Sequence, residues 1–597
     1  MGFEYVFVHI KYTIPPAVLL TLLYRPLFTR LDAYKIACLI TVAVVSTIPW
    51  DSYLIRTRVW SYPRRVIIGP TLYDIPCEEI FFFIIQTYNT SLLYLILSKA
   101  TFQPIYLRAE RTQLHPLGPA NPQWRYYRFL GQVGFGSAAL LGLQMVKNGG
   151  MSTYAGLILA WAVPFLFLLW SLAYQFILGL PFSNTLIPIL LPTLYLWLVD
   201  TLALKRGTWV ISTNTKLGLY VWDHLEIEEA IFFLLTNTLI VFGQIAFDNA
   251  LSILYTFPRT FHELPVLPSP YLLVRALLHP ASKYDEGRIQ GLQDAVQRLR
   301  KKSRSFFLAS FTFQGQIRTD LLLLYSFCRV ADDLVDNASS EPEAQMWISR
   351  LRAFLDTDYS EGKSSLVNED YINLNFPAET KSALLHIPTT KISKMPLKEL
   401  LDGFDMDLAF SKAEQPPPIR NESDLELYAH RVAGTVARMC IELIFCNYQS
   451  MLTVNDRRRI LDAGDRMGTA LQLVNIARDI SVDAKMGRVY LPMTWVKEEG
   501  LTYISIVKDP RGMRVEKLRL RLLEKAFAAY ESAKDAIEEL PVEARGPIRV
   551  AVESYMEIGR VLRQEGYVVK AGRATVPKWR RLLVAWRTLG RKSTMRR

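Results

Sequence analysis

Two carboxylates four residues apart on an apolar helix repel one another unless a cation offsets them, and this sequence contains two such pairs. Asp332 and Asp336 close the run Tyr325-Ser-Phe-Cys-Arg-Val-Ala-Asp-Asp-Leu-Val-Asp336, and Asp479 and Asp483 close Gln472-Leu-Val-Asn-Ile-Ala-Arg-Asp-Ile-Ser-Val-Asp483. At this spacing both members of a pair share one helix face. Two such helices facing each other make a cage of hard oxygen donors suited to Mg²⁺ and a diphosphate. A different acidic pattern occurs earlier. Glu78-Glu79 and Glu228-Glu229 each open a long apolar run with a phenylalanine-rich trailer. A carboxyl pair at the mouth of a membrane helix is costly and marks function by default, one group giving a proton and its neighbour taking one. The bland alternative is a pair of interfacial charges favoured by a helix N-terminus; the matched recurrence favours the functional reading.

The elements that must position these residues fall into two classes. A chain of 597 residues implies at least two domains. The hydrophobic share of 50% and the positive mean hydropathy come from the first 250 residues. There, apolar runs of spanning length start near Phe3, Ala33, Pro76, Tyr127, Tyr154, Asn184 and Glu228. No basic segment precedes the first run, so a cleaved signal peptide is not expected. Lys and Arg fall on loops of both sides, which leaves the orientation open. An internal repeat sets Asp51, with Trp60 nine residues on, against Asp200, with Trp209 nine residues on. The Glu-Glu pairs match with one residue of slippage. Spans one to three then correspond to five to seven, in the same direction, with both Glu-Glu pairs at one membrane depth. Gly134-Phe-Gly136-Ser-Ala-Ala139 fits a dinucleotide pattern, but it lies inside an apolar run and reads as small-residue helix packing. The last span, Ile231 to Phe247, has no Lys to form a retinal Schiff base.

Prolines 258, 265, 268, 270 and 280 mark a linker, assigned to 251–287 and expected to lie along the membrane. From 288 on the pattern is helical, with long amphipathic runs and little strand-like alternation, predicting an all-α second domain. Residues from Asn337 to about Ile387 read as an irregular surface insertion. The five cysteines show no metal or disulfide spacing. The net charge of +13 is concentrated in the tail: Lys570, Arg573, Lys578, Arg580, Arg581, Arg587, Arg591, Lys592, Arg596 and Arg597, with no acidic residue among them. Trp579, Leu582, Leu583, Val584 and Trp586 interleave with these, which suits a membrane surface better than nucleic acid, with a solvated tail as the alternative.

Five segments in order, Ser303-Arg-Ser-Phe-Phe307, Tyr325 to Asp336, Tyr428-Ala-His-Arg-Val-Ala-Gly-Thr435, Gln472 to Asp483 and Gly487-Arg-Val-Tyr-Leu-Pro492, resemble the squalene and phytoene synthase family. The first 250 residues resemble the small membrane-embedded lycopene cyclases, and the order of the halves is similar to the fungal bifunctional lycopene cyclase/phytoene synthases. The resemblance implies an all-α protein: a seven-span bundle, then an isoprenoid-synthase-type domain. It implies condensation of two geranylgeranyl diphosphates to phytoene through a cyclopropyl diphosphate. Asp332, Asp336, Asp479 and Asp483 would hold Mg²⁺, with Mn²⁺ as the alternative ion. Arg304, Arg329 and Arg478 would grip diphosphate, and Tyr325, Tyr428, Gln472 and Asn475 would line the pocket. Asp333 stands where the family usually has Glu, and Ser481-Val482 where Gly-Glu is common.

For the first domain the resemblance implies cyclisation of lycopene ends to β-rings by Glu78, Glu79, Glu228 and Glu229, without redox change, so neither NAD nor FAD is expected. Pro76 precedes the first acidic pair and Glu226-Ile227 the second, which leaves open which copy supplies the acid. Membrane lipid is an expected partner and nucleic acid is not. Because phytoene itself is not cyclised, a desaturase must act between the two reactions, and proximity to one is expected. The expected location is an intracellular membrane with the synthase domain in the cytosol. Two alternatives compete: a squalene or dehydrosqualene synthase on a membrane anchor, squalene formation requiring a nicotinamide, and an N-terminal half that is a transporter or scaffold without chemistry.

Overall fold

In lipid an apolar segment can satisfy its backbone by forming a helix, and among the described residues the first half of the chain does so seven times. In the computed structural model, residues 2–110, 123–262, 264–360, 365–411, 417–448, 452–564 and 576–590 are described. Lys570, Arg573, the basic residues beyond Gly590 and the side chain of Arg304 lie outside that description. The chain divides into unit 1, Met1–Ile289, and unit 2, Gln290–Arg597.

Among the described residues, unit 1 has seven helices long and apolar enough to cross a membrane: α1 Glu4–Leu27, α2 Arg30–Arg56, α3 Cys77–Ser98, α4 Trp124–Asn148, α5 Gly150–Gly179, α6 Phe182–Arg206 and α7 Ile227–Thr256. Helix α7 is central, with 67% of its most apolar window inside the bundle against 6% for α4. Local signals set the ends. Thr29 and Asp32 form a reciprocal capping box at the start of α2, and Gly207, at φ 67°, stops α6.

The two copies of the repeat meet directly. Strand β1, Trp60–Ser61, pairs antiparallel with β4, Val210–Ile211, each following the equivalent helix, α2 or α6. A short hairpin then leads into α3 (β2 Thr71–Leu72, β3 Ile75–Pro76) and another into α7 (β5 Tyr220–Trp222, β6 Leu225–Glu226). The slippage between copies has a physical site: β5 is irregular between Tyr220 and Trp222, so Val221 is the extra residue. An offset of 149 residues relates Asp51 to Asp200 and Trp60 to Trp209, and 150 relates Glu78 to Glu228.

A polar seam keys α3 to α7. Gln86 donates to Thr236 Oγ1 at 2.9 Å and Thr90 donates to Asn237 Oδ1 at 2.8 Å. Farther along, Tyr94 donates to Asp248 Oδ2 at 2.7 Å, where Lys35 from α2 is paired at 2.5 Å. In an apolar surround such bonds fix register, because an unmatched partner would be left buried.

Two expectations are revised. Gly134 and Gly136 have open space where a side chain would stand, so they are not packing contacts. The close approach of α4 and α5 is at Gly142 and Gly156, where a Cβ on Gly156 would lie 2.9 Å from the Gly142 carbonyl oxygen and 2.8 Å from Met145 Cβ. The proline-rich stretch also differs from a simple tether: 251–256 complete α7, and α8, Pro270–Leu277, buries Leu273 and Ala276 in the same core as Phe257.

Unit 2 is helical. Its site is built by α9 Arg304–Ser310, α10 Gln316–Asp336, α11 Lys394–Leu408, α12 Val454–Lys485 and α13 Val542–Leu562, with α14 Lys578–Gly590 behind them. The stretch after Asn337 is not an irregular insertion. It contains helices Glu341–Asp358 and Ala378–His386, and Ile348, Leu351, Phe354 and Leu355 are fully buried in the core. Their helical spacing is diluted by charged neighbours, which obscures it in the sequence.

Gly156→Leu is expected to force α4 and α5 apart and lower unfolding stability by about 1–3 kcal/mol, measured by denaturation of the full chain in detergent; unchanged stability would contradict the close approach.

Candidate functional site

Unit 1 splits each Glu-Glu pair into two jobs. The outer residues hold the loops that lead into their helices: Glu78 Oε1 accepts from Ile68 N at 2.7 Å, and Glu228 Oε1 from Leu217 N at 2.6 Å. The inner residues point to each other's side of the bundle. Glu79 and Glu229 line one cavity of about 20 Å³, together with Asp200, Trp60, Trp209, Phe82, Phe232 and Phe233. Glu79 accepts from Tyr62 at 2.6 Å and also from Tyr5; Glu229 accepts from Tyr154 at 2.6 Å. Tyr5 and Tyr154 are themselves related by the 149-residue offset, as are Asp51 and Asp200. Asp200 accepts from Trp209 Nε1 at 3.2 Å, whereas both carboxylate oxygens of buried Asp51 lack a hydrogen-bond partner among the described residues. Five acidic groups, Asp51, Glu79, Asp200, Glu228 and Glu229, are at most 3% exposed in an otherwise aromatic environment. That setting suits transfer of a proton to and from an alkene in the absence of water.

In unit 2, one face of each of two helices runs from apolar wall to carboxylate. On α10 the sequence Leu321, Tyr325, Cys328, Asp332, Asp336 follows helical spacing, and on α12 so does Leu471, Gln472, Asn475, Asp479, Asp483. The first three residues of each series line a cavity of about 340 Å³, walled otherwise by Phe306, Val436, Met467, Val552 and Tyr555 among others. Tyr325, Gln472 and Asn475 are therefore brought together as a polar collar on an apolar chamber. Asn475 donates to Gln472 Oε1 at 3.2 Å and accepts from Tyr555.

Beyond the collar the charges are unevenly matched. Arg329 pairs with Asp332 at 2.8 Å and with Asp333, which Lys302 also holds at 3.1 Å. Burial alone would raise the Asp333 carboxyl, but these two cations keep it below the usual range. Arg478 pairs with Asp479 at 2.6 Å and Arg488 with Asp336 at 3.0 Å. Tyr428 does not line the cavity; it donates to Asp407 at 3.3 Å, where Tyr490 also donates at 2.8 Å. Burial, then repulsion from Asp336, pushes Asp332 up to about 7. Burial pushes Asp407 up to about 6 although Arg488 opposes it. Asp332, Asp336 and Asp407 thus carry more negative charge than the local arginines neutralise. A set of oxygen donors with a charge deficit of this kind fits a hard divalent cation. Among the described residues, no three His, Cys, Asp or Glu side chains approach closely enough to hold a metal ion alone, so diphosphate oxygens or water would complete the ligand set.

Residues 299–580 match the family Squalene/phytoene synthase. Over 592 residues, 99% of this chain and 100% of its relative, the sequence is 63% identical to a "Bifunctional lycopene cyclase/phytoene synthase" of Phaeosphaeria nodorum. A protein of the same description from Pyrenophora tritici-repentis is 64% identical, with the same coverage. The chain belongs to the bifunctional lycopene cyclase/phytoene synthase family. A dehydrosqualene synthase crystal structure aligns with 50% of this chain and 95% of its own at 22% identity, TM-score 0.40.

Several members of the two sites of this bifunctional synthase escaped motif reading. Tyr5 and Tyr154 were accessible by extending the repeat offset upstream to the first helix of each copy. Arg488 and Tyr490 sit inside a recognised segment without an assigned role. Asp407 has no sequence signal: Asp402 and Asp405 beside it pair with Arg352 at 2.6 and 2.5 Å, and only burial distinguishes the third.

Because the folded state holds the Asp332 proton up to about pH 7 while an unfolded Asp releases it near pH 4, the folded state binds more protons between these values. Stability therefore falls as pH rises across that window. In the absence of divalent cation, Asp332→Asn is expected to raise the thermal midpoint of unit 2 at pH 8 and to raise it less at pH 5, followed by hydrogen exchange in α10. Equal shifts at both pH values would contradict the charge surplus.

Proposed function

We propose that the protein performs two separate steps of carotenoid synthesis, with unit 2 making phytoene and unit 1 closing the β-rings of lycopene. The observation that carries the reading is the pairing, in each unit, of a buried carboxylate set with an apolar or aromatic chamber, within a chain similar over its full length to bifunctional relatives.

In unit 2, the pairs Asp332/Asp336 and Asp479/Asp483 would hold divalent cation, Mg²⁺ or Mn²⁺, with diphosphate oxygens or water completing the ligand set. When bound, the ion supplies positive charge that offsets the diphosphate leaving group. Arg329, Arg478 and Arg488 orient diphosphate oxygens through charge-assisted hydrogen bonds, with Arg304 assigned to the same task by its motif. As the allylic C–O bond of one geranylgeranyl diphosphate breaks, the second substrate's alkene closes on the cation, losing a proton to give the cyclopropyl diphosphate. A second ionisation and rearrangement, again with loss of a proton, give phytoene. The apolar cavity keeps water from the cations, and the rings of Phe306, Tyr325 and Tyr555 offer them π faces.

In unit 1, Glu229 gives its proton to the terminal alkene of lycopene. The neighbouring alkene captures the tertiary cation, and Glu79 takes a ring proton, so atoms and charge balance without redox. The assignment follows the donors: Glu79 accepts two phenol hydroxyls, while Glu229 accepts one and keeps Oε2 without a partner among the described residues. Glu78 and Glu228 position the helix entrances. The cavity is small and walled by aromatic rings, so it would take a chain end and not a whole C40 chain.

In a lycopene-accumulating bacterial host, Glu79→Gln and Glu229→Gln are each expected to cut ring formation at least ~100-fold, and Glu78→Gln and Glu228→Gln to cut it less. Asp332→Asn should abolish phytoene synthesis from geranylgeranyl diphosphate and leave cyclisation of supplied lycopene intact. Ring formation that survives both Glu79→Gln and Glu229→Gln would return unit 1 to a scaffold.

Phytoene must lose hydrogen before it can cyclise, so a desaturase would work beside this protein on the same intracellular membrane, with unit 2 in the cytosol. Crosslinking in native membranes is expected to recover such an enzyme; repeated recovery of the protein without one would count against the association.

A further inference from the structure

Helix α14 presents two apolar faces, and only one is covered by the described residues. Its inner face is fixed to the wall of the unit 2 cavity. Ala585 packs with Ala309 of α9 and Val550 of α13, Arg580 pairs with Glu557 of α13 at 2.7 Å, and Arg549 donates to the Thr588 carbonyl at 3.2 Å. Both supporting helices also line the cavity, α9 through Phe306 and Ala309 and α13 through Ala551, Val552 and Tyr555. Only one layer of helices therefore separates α14 from the chamber.

Its outer face is Trp579, Leu582, Leu583 and Trp586, exposed by 66%, 54%, 36% and 50%. At 100° per residue these four occupy an arc of roughly 100°, with the exposed Arg587 on its flank. No acidic residue occurs in α14. Large indoles beside arginines suit the headgroup boundary of a bilayer, where the rings enter the interface and the guanidiniums reach phosphate. A bilayer is always available to this chain, because unit 1 has seven spans of sufficient length.

We propose that α14 anchors unit 2 to the membrane surface through Trp579, Leu582, Leu583 and Trp586, bringing the α9 and α13 wall of the cavity toward lipid so that apolar product passes into the bilayer. The product step rests on the phytoene-forming reading of unit 2; the docking itself does not. The occupant is lipid rather than a protein partner, because the exposed strip carries a basic flank at Arg587 that matches anionic headgroups and because a C40 hydrocarbon has no soluble destination.

The test uses the full chain, one copy per nanodisc, in phosphatidylcholine and phosphatidylserine with a fraction of the acyl chains brominated. The emission lost on Trp579→Phe plus Trp586→Phe isolates the two indoles. It is expected to be blue-shifted and quenched by bromolipid. Water-like emission that bromolipid leaves unquenched would overturn the proposal, as would burial that needs two chains per disc, which would make the face a contact between copies. Trp579→Gln, Leu582→Gln and Trp586→Gln together should slow phytoene formation several-fold in nanodiscs, leave it unchanged in detergent and leave ring formation untouched. An equal rate in nanodiscs would remove the product-transfer step. Wild-type chain that forms no phytoene in detergent, with its indoles still quenched, would sink the synthase reading and leave the anchor standing.

Discussion

A carboxylate withdrawn from water must be given donors or counter-charge, or its surroundings become unstable. Both units are organised around that constraint and meet it differently. In unit 1 the inner glutamates receive phenol hydroxyls, from Tyr5 and Tyr62 on one side and Tyr154 on the other. In unit 2 the aspartates receive arginines in insufficient number, which leaves the surplus that a cation would neutralise. The first arrangement suits moving a proton; the second suits receiving an anion together with its metal.

The repeat in unit 1 is what makes the first arrangement feasible. Duplicated helices bring two carboxyls to one cavity, and the β1–β4 pairing brings the equivalent loops side by side. The seam from Gln86–Thr236 to Tyr94–Asp248 then holds α3 and α7 in register through the bundle. The departures from symmetry matter as much as the symmetry. Glu79 has a second phenol, Asp51 lacks the bond that Asp200 makes, and Val221 adds a residue to one hairpin. Two equivalent carboxyls thereby acquire unequal surroundings, which acid and base require.

Unit 2 separates its tasks along two helices rather than between two copies. The spacing that places Asp332 above Tyr325 and Asp479 above Asn475 also places apolar residues below them, so charge is handled at one end and hydrocarbon at the other. Tyr555 joins the two by bonding Asn475 and stacking on Phe306 with ring centroids 5.6 Å apart.

The amino-acid sequence by itself determined the seven spans, the repeat, the two aspartate pairs and the helical second half, because each is a periodic or local pattern enforced by backbone hydrogen bonding. It determined less about which acidic residue faces a chamber. Glu78 and Glu79 are adjacent and chemically identical, and only the packing of α1 and α3 sends one to the loop amide of Ile68 and the other to Tyr5. The helices after Asn337 were hidden because their apolar positions are few and interrupted by charge. Asp407 was invisible because its role depends on Tyr428, Tyr490 and Asp336, residues far away in the chain. Local spacing fixes which face a side chain occupies; which neighbours that face meets is a long-range contact, and only the tertiary structure decided it.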